Sequence, residues 1–377
     1  MSLALLTLNA LPKVGPIRLR RLLARFGSPE TILEQSIGSL QSVSGVGPEV
    51  ASIITDWRKL TDAETELALC ERHRITILTP DSPLWPHQLS ESPDAPLLLY
   101  VKGEITRADQ HAIGIVGSRR CSHYGRSNTR VFSSSLSRAG YTIISGLARG
   151  IDTEAHLAAL DAQGRTIAVL GSGLLDVYPS ENRELAERIA DGHGAVISEF
   201  PLRCPPDKQT FPQRNRIVAN WSSALLVTES PRRSGSLITA GMAAESGCPV
   251  YAMPGPIDRP QSEGCHDLIR DGAILVTQPD QILEDLQSLP FFQTGASLQK
   301  ESPSEAKGPK PELNELEASI FTHLSSQEQT MDQLANLTNH PIHVISATLL
   351  GLEMKGCLLY TSPSPRDQRG SRMPSSA

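Results

Sequence analysis

A lysine, an aromatic ring and an Arg-Asn-Arg triplet fall together between Lys208 and Arg216, in the run KQTFPQRNR. The triplet opens a stretch that reads as a helix, and helix N-termini attract anions through unpaired backbone N–H groups. The planar guanidinium groups of Arg214 and Arg216 suit phosphate, and Lys208 adds a compact point charge. Phe211 offers a face on which a base can stack, and Asn215 is placed to orient the loop or to bond a base edge. The segment is therefore expected to hold a single strand of nucleic acid.

Such a segment needs a frame. From residue 112 onward, apolar runs bounded by glycine (AIGIVG, YTIISG, TIAVLG, AVISEF, ALLVTES, PVYAMPG, AILVTQ) alternate with helical stretches. Continuous apolar strands interleaved with helices predict a parallel sheet covered on both faces. The fold class is α/β. A Rossmann-like, doubly wound sheet spans 112–287, with a helical domain before it and a winged-helix-like domain after it.

Ligands of such sheets sit beyond the C-terminal strand ends. Those ends read Gly117-Ser118-Arg119-Arg120, Ser145-Gly146 through Asp152, Gly171-Ser172-Gly173, Lys208 to Arg216, and Glu229 to Ser236. Their small residues are expected to let a ligand approach the backbone, and their arginines suit a polyanion. The dinucleotide pattern fails. GIVGSRR lacks the GxGxxG spacing, and Ser145-Gly146 stands where the ribose-binding acid is expected. Neither NAD nor FAD is expected, nor any other cofactor. Asp152 and His156 share a helix face and could form an acid/base pair beside Ser145 or Ser118. Asp152 reads first as a helix N-cap, and Glu229 as an ion pair or loop brace beside Arg232 and Arg233. No catalytic residue is assigned.

Residues 1–70 read as helices, with Leu40–Ile54 spaced as a helix-hairpin-helix around Gly45-Val46-Gly47 and a looser version at Val14-Gly15-Pro16. Such loops either contact phosphate or let helices pack closely. Residues 71–111 hold two strand-like runs, ITIL and PLLLYVKG, around a proline-rich loop, and read as a connection. Residues 288–311 read as a linker. Residues 312–360 show helix-turn-helix order, and the wing looks incomplete. The third helix there, His343–Lys355, has one basic residue, which favours a protein contact or a structural role over groove reading. The tail 361–377 resembles translated sequencing-adapter read-through and is excluded from the fold.

The chain of 377 residues has a formal charge of −6, unusual for a nucleic-acid binder. Gly114–Gly235, however, holds 15 Lys and Arg against 11 Asp and Glu, a local +4 against −10 for the remainder. A basic cleft on an acidic body can still focus phosphate. Six scattered cysteines without a CxxC pair argue against zinc and disulfides and fit a cytoplasmic protein. No signal peptide or membrane-length apolar run is evident, so no membrane partner is expected.

In this order, GSRRCSHYG, SGLARGIDTEAH, GSGLLDVYPSEN, FPQRNRIVAN and SGSLITAGMAAESGCPVYAMPG resemble the DNA-processing protein A family (DprA, also called Smf). The resemblance spans about 1–360 and is most specific over 112–287. It implies a homodimer that binds and protects single-stranded DNA and loads the RecA recombinase during natural transformation. It also implies a sterile-alpha-motif-like N-terminal domain and a winged-helix C-terminal one. By motif, DNA contacts are implied for Gly117, Ser118, Arg119, Gly146, Gly171, Lys208, Phe211, Arg214, Asn215 and Arg216. Two other readings stay open. One is a nucleotide-binding enzyme of the nucleoside monophosphate phosphoribohydrolase type, although SPRRSGSLITAG stands where those carry a PGGxGT-type loop. The other is a double-stranded DNA regulator working through the C-terminal helices.

Overall fold

The computed structural model describes residues 2–288 and, further on, residues 338, 340, 341 and 343–348. Most of the expected linker, winged-helix region and tail lies outside the described residues; within them, 343–348 is helical and Ile345 is buried.

The first described part is helical, as expected: α1 (Leu3–Ala10), α2 (Pro16–Phe26), α3 (Pro29–Leu33), α4 (Ile37–Gln41), α5 (Pro48–Thr55), α6 (Trp57–Leu60) and α7 (Ala63–Arg72). Pro16 and Pro48 stand at the first helical positions after Gly15 and Gly47, where a missing N–H costs nothing. Gly45 turns the α4–α5 hairpin at φ 86°. The carbonyls of that hairpin accept from α2: Arg18 Nε donates to Gly45 O at 2.8 Å and Arg21 Nη1 to Ser44 O at 3.1 Å.

The strands are β1 (Ile75–Leu78), β2 (Leu99–Gly103), β3 (Ala112–Val116), β4 (Thr142–Ser145), β5 (Thr166–Val169), β6 (Gly194–Ser198), β7 (Ser222–Val227), β8 (Val250–Ala252) and β9 (Ile274–Leu275). They form one nine-stranded sheet in the order β1-β2-β6-β5-β4-β3-β7-β8-β9. The pairings among β3 to β9 are parallel. The run expected to connect the domains does more than that. Its strands β1 and β2 add an antiparallel extension, with Tyr100 opposite Ser198 of β6.

Between the strands lie α8 (His87–Glu91), α9 (His123–Arg138), α10 (Ile151–Asp161), α11 (Arg183–Ala190), α12 (Thr210–Trp221), α13 (Gly235–Glu245) and α14 (Glu263–Arg270), and α15 (Pro279–Ser288) follows β9. Strand side chains alternate between two cores. Ile113, Ile115, Ala224 and Leu226 join Phe132 and Ala155 on one face, while Ala112, Leu225 and Val227 join Val218 and Ala240 on the other.

His156 shows how tightly α10 seals that sheet. Thr166 Oγ1 donates to Ile143 O at 2.8 Å, so its one hydrogen is committed. The His156 ring must therefore donate from Nδ1 to Thr166 Oγ1, at 2.7 Å, which leaves Nε2 buried without a partner. Burial, helped by the Arg214 charge, holds this imidazole down to about 3. The folded value lies below the unfolded one, so the unfolded chain takes up the proton first as pH falls. The contribution is complete above about 6.5 and is lost between there and about 3. Urea denaturation between about pH 6.5 and 4.5 should show stability falling with a slope that steepens toward about 1.4 kcal/mol per pH unit from this residue. His156→Gln should flatten that slope; an unchanged slope would mean that the ring is not held neutral.

Candidate nucleic-acid interface

The chain leaves β3 in one direction through β4, β5 and β6, then returns to β7 on the other side. Doubly wound sheets open a crevice beyond the strand ends where this order reverses. A cleft of about 670 Å³ lies there, lined by the loops after β3, β4 and β7 and by the start of α12.

The loops are locked to one another through the main chain. Ser118 N donates to Glu229 O at 2.7 Å, and Ile151 N donates to Ser118 O at 3.2 Å. Gly150, at φ 78°, packs so closely on Ser118 O that a Cβ would collide with it. The Glu229 carboxylate accepts from Ser122 N at 2.9 Å and from Ser122 Oγ, and so anchors the N-terminus of α9. Glu229 is thus a loop brace, but not to its neighbouring arginines. Arg232 pairs instead with Asp267, at 2.9 Å, and Glu263.

The small residues at two strand ends make room for side chains rather than for a ligand. A Cβ on Gly146 would overlap the Arg214 guanidinium, and one on Gly171 would stand 2.8 Å from Phe211 Cδ1. Arg214 fills the first space, and its Nη1 donates to Gly146 O and Val169 O. Burial pushes it down to about 10, with the Asp152 charge opposing and the Arg119 charge assisting. Asp152 is not the cap of α10, whose N-cap is Gly150. Its Oδ2 accepts from Gly146 N at 3.1 Å and Ala148 N at 3.3 Å, holding the same loop from the other side. Burial raises its carboxyl, against the pull of Arg214 and those two N–H groups.

With α12 anchored by Arg214, the residues one turn earlier face the cleft. Phe211 is half-buried, with the Arg119 guanidinium 5.2 Å from its ring centre. Lys208 is exposed on the rim with Arg119, Arg120 and Arg233, and none of the four has a carboxylate within ion-pairing distance among the described residues. Asn215 Oδ1 accepts from Arg214 Nε at 3.0 Å, and its Nδ2 donates to Gly235 O at 3.4 Å, tying α12 to the start of α13. Ser118 Oγ accepts from Arg120 N at 3.1 Å and shapes the turn after β3.

The family model for DNA recombination-mediator protein A matches residues 76–287. The chain belongs to that family. Further models match its ends: a SAM-like helix-hairpin-helix tandem at residues 5–57 and the DprA winged helix domain at 304–359. Protein Smf of Escherichia coli K12 is 40% identical over 296 residues, covering 78% of this chain and 77% of that protein. DNA processing protein DprA of Streptococcus pneumoniae R6 is 43% identical over 203 residues, covering 54% and 71%. The solved S. pneumoniae DprA structure superposes with a TM-score of 0.66 at 34% identity, covering 76% of this chain and 98% of that one. Helicobacter pylori DNA processing protein A, solved for its single-stranded DNA binding mode, gives 0.51 at 26% identity, covering 56% and 95%.

In this member of the DprA family, the expected site residues divide. Gly117, Ser118, Arg119, Gly146, Lys208, Phe211, Arg214 and Asn215 line the cleft, and Gly171 seats the Phe211 ring. Arg216 does not reach it. Two positions along the helix from Arg214, it points elsewhere and pairs with buried Glu199, with Asp94 at 3.8 Å. Burial raises the Glu199 carboxyl and Arg216 pulls it back. The phosphate contact expected of Arg216 is therefore met by an internal ion pair. The possible acid/base pair is also divided. Ser145 Oγ donates to Ile115 O at 2.6 Å, while His156 bonds Thr166 and Asp152 bonds backbone. Tyr178, in the loop after β5, also lines the cleft; the sequence reading assigns no role to it, although it belongs to the run GSGLLDVYPSEN that carries Gly171.

Replacing Arg216 by Met strands the Glu199 charge and should lower unfolding stability by about 3–5 kcal/mol. Lys208→Ala, on the exposed rim, should change it by no more than about 0.5 kcal/mol. Chemical denaturation of the two variants checks this contrast; equal effects would contradict the placement of Arg216.

Proposed function

We propose that the chain binds single-stranded DNA across this cleft and acts as a recombination mediator. In this reading it protects incoming strands and passes them to the RecA recombinase during natural transformation, as a cytoplasmic homodimer without catalytic activity of its own. The observation that carries the binding is the pairing of unopposed rim cations with an accessible ring. Arg119, Arg120, Lys208 and Arg233 have no carboxylate partner among the described residues, and Phe211 stands among them. A polyanion neutralises such charges and releases its counterions. An unpaired base can turn inward to the ring, whereas a duplex keeps its bases stacked and paired.

Support for the ligand class comes from family membership and from the H. pylori relative described by its single-stranded DNA binding mode. Transfer to a recombinase, protection and dimerisation rest on the family resemblance. The absence of catalysis fits the separate hydrogen-bond commitments of Ser145, Asp152 and His156. A cytoplasmic setting fits the free cysteines, and no helix among the described residues is long and apolar enough to cross a membrane.

Binding to oligo-dT, titrated with salt beside a duplex of equal length, tests this reading. Four neutralised phosphates give a slope of log K against log salt near −3, at about 0.7 per phosphate on single strands. Lys208→Ala and Arg119→Ala should each weaken binding to all sequences and flatten the slope by about 0.7. A slope near zero, preference for duplex, or release of base from nucleoside monophosphates would overturn the proposal.

A further inference from the structure

Tyr178 stands in the same run as Gly171, GSGLLDVYPSEN, and completes a row of rings and cations. Arg119 stands 5.2 Å from the centre of the Phe211 ring. The Tyr178 ring lies 5.8 Å from Phe211, tilted by 46°. Arg149 stands 6.0 Å from the centre of the Tyr178 ring. The row crosses the C-terminal strand ends, from the loop after β3 to the loops after β4 and β5.

The loop carrying Tyr178 is built to hold it. Ser172 Oγ donates to Asp176 O at 2.6 Å, and Gly173 N donates to Cys204 O at 2.8 Å. Beyond the ring, Asn182 Nδ2 donates to Leu147 O at 2.9 Å and to Thr153 Oγ1 at 2.8 Å. Both ends of the loop are thus tied to neighbouring loops, while the tyrosine between them remains 38% exposed. A ring held in place but left open to solvent is preorganised for a flat partner.

Building on the single-strand reading above, we propose that Tyr178 is a second base-stacking platform. The base next to the one on Phe211 lies against it, and Arg149 takes the phosphate beyond. The ring spacing of 5.8 Å exceeds the roughly 3.4 Å step between stacked bases, so the two bases must splay apart. A single strand can do this and an intact duplex cannot. Arg149 now pairs with Glu181, but both side chains are about half exposed, and such surface pairs hold weakly. The guanidinium can exchange that carboxylate for a phosphate.

The test is fluorescence anisotropy of labelled oligo-dT with the full chain and with Tyr178→Ala, Tyr178→Phe and Arg149→Ala. Tyr178→Ala is expected to weaken binding by about 5- to 150-fold with an unchanged salt slope, because a stack releases no counterion. Tyr178→Phe should bind as the parent does. Arg149→Ala should reduce the slope by about 0.7. An abasic linkage scanned along the oligonucleotide should cost the parent affinity at two adjacent positions and Tyr178→Ala at one. If the parent binds oligo-dT with the expected slope but Tyr178→Ala binds equally well, this inference fails and the single-strand reading stands. If the parent does not bind, the single-strand reading itself fails. Thermal melting of each variant keeps a loss of fold from passing as a loss of stacking.

Discussion

A buried guanidinium governs the arrangement. Arg214 reaches from α12 into the seam between the ends of β4 and β5 and donates to the carbonyls of Gly146 and Val169. Taking a cation out of water is costly, and the cost is offset only where acceptors and an opposing charge are already in place. Gly146 leaves the space, the two carbonyls accept, and Asp152 supplies the charge from the other side of the loop. With the fifth residue of α12 fixed, Phe211 and Lys208 can only project over the strand ends. The anchor and the exposed residues thus belong to one short helix start, and each is useful because of the other.

Charge is distributed on the same plan. The chain is acidic overall, with a formal charge of −6, yet several of its carboxylates pair with arginines away from the cleft. Glu154 takes Arg126 and Arg130, Asp109 takes Arg165, and Glu199 takes Arg216. Arg119, Arg120, Lys208 and Arg233, which have no ion-pair partner among the described residues, lie where the order of the sheet reverses. A modest local excess over low-dielectric walls focuses potential far better than the same charges spread over a sphere. Net charge was therefore a poor guide to function, and the local balance a better one.

The parallel core could be read from the sequence because its signals are strictly local: an apolar run, a terminal glycine, then a helical period. All seven expected runs from AIGIVG to AILVTQ form strands of the sheet. The partner of a short strand is not a local property, so ITIL and PLLLYVKG could be seen as strands but not as an extension of that sheet. Arg214 and Arg216 expose a similar limit. Residue type marks a cation, but whether it meets solvent, a carbonyl or Glu199 depends on which side of α12 it leaves. Asp152 resembles a cap by position, yet the main chain at Gly150 begins the helix two residues sooner than a cap at that carboxylate would allow. Tyr178 escaped for another reason. One aromatic in a loop has no periodicity, and only the proximity of Phe211 gives it meaning.

Three loops of the cleft are joined to one another through main-chain hydrogen bonds. Ser118, Glu229 and Ile151 hold three loops together through N–H and carbonyl groups that every residue but proline possesses. The exposed rim side chains, Arg119, Arg120, Lys208 and Arg233, therefore bear little of the scaffold's load. Chemistry at the rim can drift, or be redesigned, while the backbone stays where it is. A lineage could retune which polyanion it grips by exchanging a few surface residues, without having to rebuild the fold beneath them.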